Sequence, residues 1–119
     1  MYMNLLKLLE DNTEEQASLF NALADPTRLK IVKLLCQQQI PDALCVNALA
    51  SLLGVSQSAV SQHLRLLKAI GLVKGERRGY HVHYSIDHDR MQRYRELVLS
   101  ALDMSKPIQE ELCQSHSPE

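Results

Sequence analysis

The stretch QSAVSQHLRLLKAI, Gln57–Ile70, decides how this chain is read. At about 100° per helical residue, Gln57, Ser58, Ser61, Gln62, Arg65 and Lys68 fall within an arc of about 140°. Ala59, Val60, Leu64, Leu66, Leu67 and Ile70 fill the opposite arc. Ser56 stands at the N-cap position, where its hydroxyl can accept from the first turn, and Gly71 stops the helix. The polar face consists of short hydrogen-bonding side chains, with positive charge toward its far end and no acid. Such groups suit base edges and phosphates in a DNA major groove, whereas a merely solvated face more readily uses Glu and Lys. His63 lies inside the apolar arc and is expected to be a packed, hydrogen-bonded histidine, not a ligand.

The flanking sequence gives this helix a setting. In VNALASLLGVSQSAV, Val46–Val60, Ala50 allows close helix approach, Gly54 takes the turn, and Val55 and Val60 plug the angle. That is a helix-turn-helix. After Gly71 the period changes: Leu72–Val73 and then Val82, Tyr84 and Ile86 alternate with polar residues, and KGERRG, residues 74–79, lies between. Two strands joined by a glycine-bounded basic loop predict a β-hairpin. A helix-turn-helix followed by a basic hairpin makes a winged helix, mostly α with one small hairpin.

The second strand carries GYHVHYSIDHD, Gly79–Asp89, whose histidines and aspartates suggest a metal site. Strand alternation accounts for them more simply. Val82, Tyr84 and Ile86 face the core, which leaves His81, His83 and Ser85 on the other face. A metallohydrolase built on His81, His83 and Asp87 lacks a concave pocket and a general base, so the chain is expected not to be an enzyme.

The 119 residues suit one domain, with an aliphatic core because Phe20 and four tyrosines are the only aromatic residues. The expected organisation is an N-terminal arm (1–12), a winged helix-turn-helix and dimerisation domain (13–105) and a tail (106–119). Thr13 and Gln16 have capping-box spacing. Asp25 and Pro26 open a helix bearing Leu29, Val32 and Cys36 on one face, and Pro41 breaks the pattern that follows. From Asp87 a final helix shows Met91, Tyr94, Val98, Ala101 and Leu102 along one stripe, until Lys106–Pro107 ends it. No apolar run is long enough to span a membrane and no leader pattern is present. Three cysteines without paired spacing suit a reducing cytoplasm. The net charge of −1 hides an asymmetry: Ser51–Ser85 holds Arg65, Lys68, Lys74, Arg77 and Arg78 against Glu76 alone, a local +4.

ALADPTRLKIVKLL, LCVNALASLLGVSQSAVSQHLRLLKAIGLVKGERRGYHVHYSID and the long final helix resemble the ArsR/SmtB family of bacterial metal-sensing repressors, over about Glu14 to Met104. The resemblance implies a homodimer joined through its terminal helices, with one reading helix per protomer entering a palindromic double-stranded operator. It also implies an effector that lowers DNA affinity. Gln57, Ser58, Ser61, Gln62 and Arg65 are the expected groove readers. Ser56, Lys68, Arg77, Arg78, Tyr80 and His81 are the expected backbone or minor-groove contacts.

Two recurring effector sites of the family are incomplete here. The Cys-x-Cys of the first reads Cys45-Val46-Asn47, one thiolate short. The Asp-x-His of the second falls near His88 and Arg90, and its later ligands near Ala101 and Met104, so that site is absent. What remains is Cys36, Cys45, Cys113 and His116, the last two spaced i, i+3 in the tail. These residues suit a thiophilic metal or metalloid ion, with tail ligands reaching Cys45. A thiol switch joining Cys113 to Cys36 or Cys45 is the other reading. Cys36, at the end of an apolar stripe, is expected to be packed. The expected function is that of a cytoplasmic, dimeric, DNA-binding repressor with no membrane contact. The alternative is a winged-helix protein-interaction module without an effector site.

Overall fold

The computed structural model describes residues 12–39 and 44–105. The arm up to residue 11, the break at Pro41, and Cys113 and His116 of the tail lie outside the described residues. Within them the order is α1 (Thr13–Leu23), α2 (Pro26–Gln37), α3 (Val46–Leu53), α4 (Gln57–Ala69), β1 (Val73–Arg78), β2 (His81–Ile86) and α5 (His88–Ala101).

Local chemistry sets most of the boundaries. The Asp25 carboxylate accepts from the Arg28 N–H at 3.0 Å, with Pro26 in the first turn of α2. Ser56 Oγ accepts from the Ala59 N–H at 3.0 Å and opens α4. Asp87 caps α5 through the Arg90 N–H at 3.1 Å. At α1 the sequence expectation fails. Asn12, in the left-handed region with φ 62°, occupies the N-cap without a side-chain cap. The Gln16 amide instead donates to the Leu97 carbonyl at 3.0 Å, so a tertiary bond between α1 and α5 replaces the local box.

The helix-turn-helix forms as the small residues require. Gly54 takes φ 68°, and the Gly54 and Val55 N–H groups both donate to the Ala50 carbonyl, at 2.9 and 3.2 Å. Ala50 and Val60 are buried where α3 meets α4. Leu49, Leu64, Leu67, Leu72, Ile31, Leu19 and Leu97 complete a core that is aliphatic except for Tyr94. The Tyr94 hydroxyl donates to the Ile70 carbonyl at 2.6 Å, holding α5 over the end of α4.

Two helical stripes differ from expectation. α2 buries Ile31, Val32 and Leu35 and leaves Leu29 and Cys36 exposed. Its apolar residues cover more than one face, and packing selects a stripe rotated from the expected one. On α5, Tyr94 and Leu97 are buried and Met91 and Val98 half-buried, whereas Ala101 and the C-cap residue Leu102 remain exposed.

The hairpin corrects the expected loop. Residues 74–78 belong to β1, paired antiparallel with β2 from Val73↔Ile86 to Arg78↔His81. Only Gly79 and Tyr80 turn, with positive φ at Gly79 (65°) and not at Tyr80, the pattern of a II′ hairpin. Gly75 is a strand residue because Tyr84 packs across it. A Cβ there would lie 2.9 Å from Val82 Cγ1 and 3.0 Å from Tyr84 Cε1. A short third strand segment adds to the free edge of β2, where the Tyr84 N–H donates to the Leu44 carbonyl at 2.9 Å and Cys45 pairs with His83.

Candidate nucleic-acid interface

Packing through Val60, Leu64 and Leu67 fixes the rotation of α4 and turns its polar arc outward. Ser56, Gln57, Ser58, Ser61, Gln62, Arg65 and Lys68 are all exposed, on one side of the helix. Val60, Leu64 and Leu67 are buried as the pattern requires, whereas Leu66 is 49% exposed and does not join the core. The N-terminal turn of α4 presents its first backbone N–H groups beside Gln57 and Ser58, a local positive pole suited to phosphate.

The wing stands next to this face. Arg77, Arg78, Tyr80 and His81 are exposed, and Tyr80, at the tip, is 99% exposed. Lys68 Nζ lies 6.0 Å from the centroid of the Tyr84 ring, so a cation on α4 rests on the wing's aromatic residue. Arg78 is engaged differently from expectation: its Nε and Nη2 donate to Glu76 Oε1 at 3.0 and 2.6 Å. That pair is exposed, and a phosphate can compete for the guanidinium. Arg77, across from Val82, carries no such acid beside it in the register.

His63 is hydrogen-bonded, as its place in the apolar arc suggested. Nδ1 lies 3.4 Å from Arg28 Nη1, and Nε2 lies 3.9 Å from Asp25 Oδ1. Arg28 also donates through Nε to the Ala22 carbonyl at 2.6 Å and through Nη2 to Asn21 at 3.3 Å. This cluster fastens the α1–α2 corner to the reading helix. Sequence periodicity marked His63 but carried no signal for Arg28.

The described cysteines sit apart in kind. Cys36 is exposed at the end of α2, correcting the expectation that it is packed, yet its thiol is sheltered enough that burial pushes its pKa upward. Cys45 is half-buried at the N-cap of α3, without a side-chain cap bond, and opposite His83. Among the described residues no three His, Cys, Asp or Glu side chains come together as a metal cluster. His83 is half-buried against the Leu44–Cys45 segment and thus differs from exposed His81. The two histidines of the wing face different surroundings. Sequence alternation placed them on one face but gave no sign of the third strand segment that covers His83.

Comparison with known proteins places this geometry. A family model described as bacterial regulatory protein, arsR family, matches residues 25–74, from the α2 cap to the start of β1. A transcriptional repressor SmtB homolog of Synechocystis is 44% identical over 89 residues, covering 74% of this chain and 64% of that protein. A cadmium resistance transcriptional regulatory protein CadC homolog of Staphylococcus aureus is 36% identical, covering 72% of this chain and 69% of that protein. A solved homodimeric winged helix-turn-helix DNA-binding domain from Mycobacterium bovis superposes with a TM-score of 0.59 at 28% identity, covering 82% of this chain and 90% of that one. Each is named as a regulator or a DNA-binding domain, in line with the non-enzymatic reading. No helix among the described residues is long and apolar enough to cross a membrane.

Proposed function

The chain belongs to the arsR family of bacterial regulatory proteins, and from that premise we propose that it is a homodimeric, sequence-specific DNA-binding repressor of the cytoplasm. The observation that carries this reading is the exposed, acid-free polar face of α4 set beside a basic hairpin. In this reading Gln57, Ser58, Ser61, Gln62 and Arg65 meet base edges in the major groove. Ser56, Lys68, Arg77, Arg78, Tyr80 and His81 hold the backbone and the adjoining minor groove.

Two features support a dimer reading a palindromic operator. An apolar groove of about 290 Å³ runs between α1 and α5, lined among others by Leu19, Leu23, Val98 and Leu99. Phe20 on α1, Leu102 at the C-cap of α5 and Met104 just beyond it are exposed large apolar residues. A two-fold dimer built there would set its reading helices about one helical turn of DNA apart. The relative from Mycobacterium bovis is itself homodimeric.

Release from the operator is assigned to a thiophilic metal, a metalloid or a thiol-reactive signal acting on Cys36, Cys45 and Cys113 with His116. Its support is that Cys36 and Cys45 are both free thiols, and that one relative is named for cadmium resistance.

Selection of an operator from random duplex DNA, followed by binding measured across a salt series, tests the reading. Affinity should fall steeply with salt, with a logarithmic slope of about −0.9 per phosphate neutralised. A flat salt response, or no enriched sequence, would favour a protein-interaction module and sink the repressor.

A further inference from the structure

We propose that His63 is a positioning residue that sets the roll of the reading helix according to its protonation, so that operator affinity falls as the ring takes up a proton. The effect on DNA rests on the repressor reading; the coupling within the protein does not. At about 100° per residue, the buried residues Leu67, Val60 and Leu64 span about 60° of α4. Burial is non-directional, so a stripe this narrow leaves the helix free to roll by part of a turn. His63 lies about 40° to one side of the stripe and Lys68 about 40° to the other. Lys68 meets the wing at the Tyr84 ring, 6.0 Å from its centroid, and His63 meets Arg28 of α2. The directional contacts on these two flanks fix the roll, and with it the aim of Gln62 and Arg65.

The His63 flank is the one that changes with pH. Nδ1 lies 3.4 Å from Arg28 Nη1 and accepts from it only while it carries no hydrogen. Arg28 is held in place, because its Nε donates to the Ala22 carbonyl at 2.6 Å and its Nη2 to the Asn21 carbonyl at 3.3 Å. Nor does a guanidinium give up its charge. A proton on Nδ1 therefore turns an acceptor into a second cation against a fixed guanidinium. Asp25 Oδ1, 3.9 Å from Nε2, draws the same imidazolium toward the N-cap of α2. Repulsion at one nitrogen and attraction at the other move the ring from Arg28 toward Asp25, and α4 rolls with it.

The surroundings favour this sign. Among the described residues Asp25 is the one carboxylate within ion-pair distance of His63. From the neighbouring elements, α3 brings no ionisable side chain over Val46–Leu53, and α1 gives the corner its Ala22 and Asn21 carbonyls. β1 carries Lys74, Glu76, Arg77 and Arg78 at exposed positions, with Glu76 engaged by Arg78 at 2.6 Å. On α4 itself the charged groups are Arg65 and Lys68, both cations, which add to the cost of a charged ring.

The test compares the full-length wild type with His63→Gln, binding the selected operator at fixed salt from about pH 8 to about pH 5.5, the span in which histidine changes charge. Glutamine keeps an oxygen that can accept from Arg28 and takes up no proton. The variant retains the chain's other histidines, whose titration cancels in the ratio of the two affinities. Over that span the wild type should weaken relative to the variant by about threefold to tenfold, part of the loss expected for a hydrogen bond to a charged group. A flat ratio, or a wild type that tightens relative to the variant in acid, overturns the proposal. Nuclear magnetic resonance of the wild type without DNA needs no variant to fold. Backbone amide signals from Gln57 to Lys68 should shift with the same midpoint as the His63 ring, and signals that stay still while the ring titrates overturn the coupling. Coupled signals without operator binding at any pH overturn the repressor reading alone. Operator binding without the pH-dependent ratio overturns this proposal alone.

Discussion

Arg28 Nη1 lies 3.4 Å from His63 Nδ1, so the reading helix is anchored from behind by a residue of α2. A guanidinium only donates, so Nδ1 accepts from Arg28, and Nε2 faces the Asp25 carboxylate at 3.9 Å. The same guanidinium closes the α1–α2 corner through Ala22 and Asn21. Arg28→Leu should therefore cost about 1.5–3 kcal/mol, the range for hydrogen bonds to a charged group. Urea unfolding measures that cost. A loss confined to DNA affinity, with stability unchanged, would show that the anchor does not hold the fold.

Asp25 predicts a pH dependence with a definite sign. The Arg28 backbone N–H, above all, holds its carboxyl below the ordinary aspartate value of 3.8, with His63 and Arg28 adding Coulomb attraction against desolvation. A carboxyl depressed in the fold stabilises fully above its unfolded pKa and loses that contribution as pH falls through the folded value. Asp25→Asn, which keeps a capping oxygen, should be less stable than wild type at pH 7. The gap should close once the pH drops below 3.8 toward the folded value. Denaturant midpoints of the two proteins across that range decide it. A gap that widens in acid would contradict the sign.

Gly75 tests how tightly the wing is built. A methyl group at that position meets Val82 Cγ1 at 2.9 Å and Tyr84 Cε1 at 3.0 Å. Gly75→Ala should therefore displace Tyr84, which also receives Lys68 at 6.0 Å. Overpacking of this kind costs about 1–3 kcal/mol. Thermal unfolding and operator affinity should both fall; full tolerance would mean that Tyr84 is free to swing aside.

Gly75 also marks where sequence reading stops. KGERRG carries two glycines and a charge cluster, which is loop chemistry, and only the Tyr84 ring lying across Gly75 makes it a strand. The reading helix was legible because its buried residues, Val60, Leu64 and Leu67, repeat at helical spacing and Ser56 caps it locally. α2 was legible as a helix and not in rotation, since its apolar residues permit several faces and Leu35 displaced Cys36 from the core. Pairing between distant segments leaves no periodic trace, which is why the Cys45–His83 bridge and the Arg28–His63 contact emerged only from the fold.

The polar face of α4 and the wing should separate by kind of effect. Arg65, exposed on α4, is a proposed base reader, and Arg65→Ala should cost about 1–3 kcal/mol and relax preference at one operator position. Arg77→Ala should instead weaken all sequences alike and reduce the salt slope by about one. Binding of both variants to the selected operator and to a scrambled duplex distinguishes the two. Equal losses on both duplexes for Arg65→Ala would move it from the bases to the backbone.

The terminal helices carry the last prediction. Leu99 on α5 and Leu102 at its C-cap are 70% and 69% exposed, beside the groove that α1 and α5 form. α1 and α5 are already joined within the chain by Gln16 to Leu97 at 3.0 Å and by Arg93 to Glu15 at 3.0 Å. Apolar residues left outside that pairing are costly to expose unless a second chain covers them. Leu99→Glu/Leu102→Glu places two charges on the exposed surface without touching Leu97, which is buried. The variant should remain folded, sediment as a monomer, and lose most operator affinity, because each protomer alone reads half a palindrome. Analytical ultracentrifugation and DNA binding on the same sample check both halves. A variant that stays dimeric would place the dimer interface elsewhere, and a wild type that sediments as a monomer at micromolar concentration would remove it from these helices altogether.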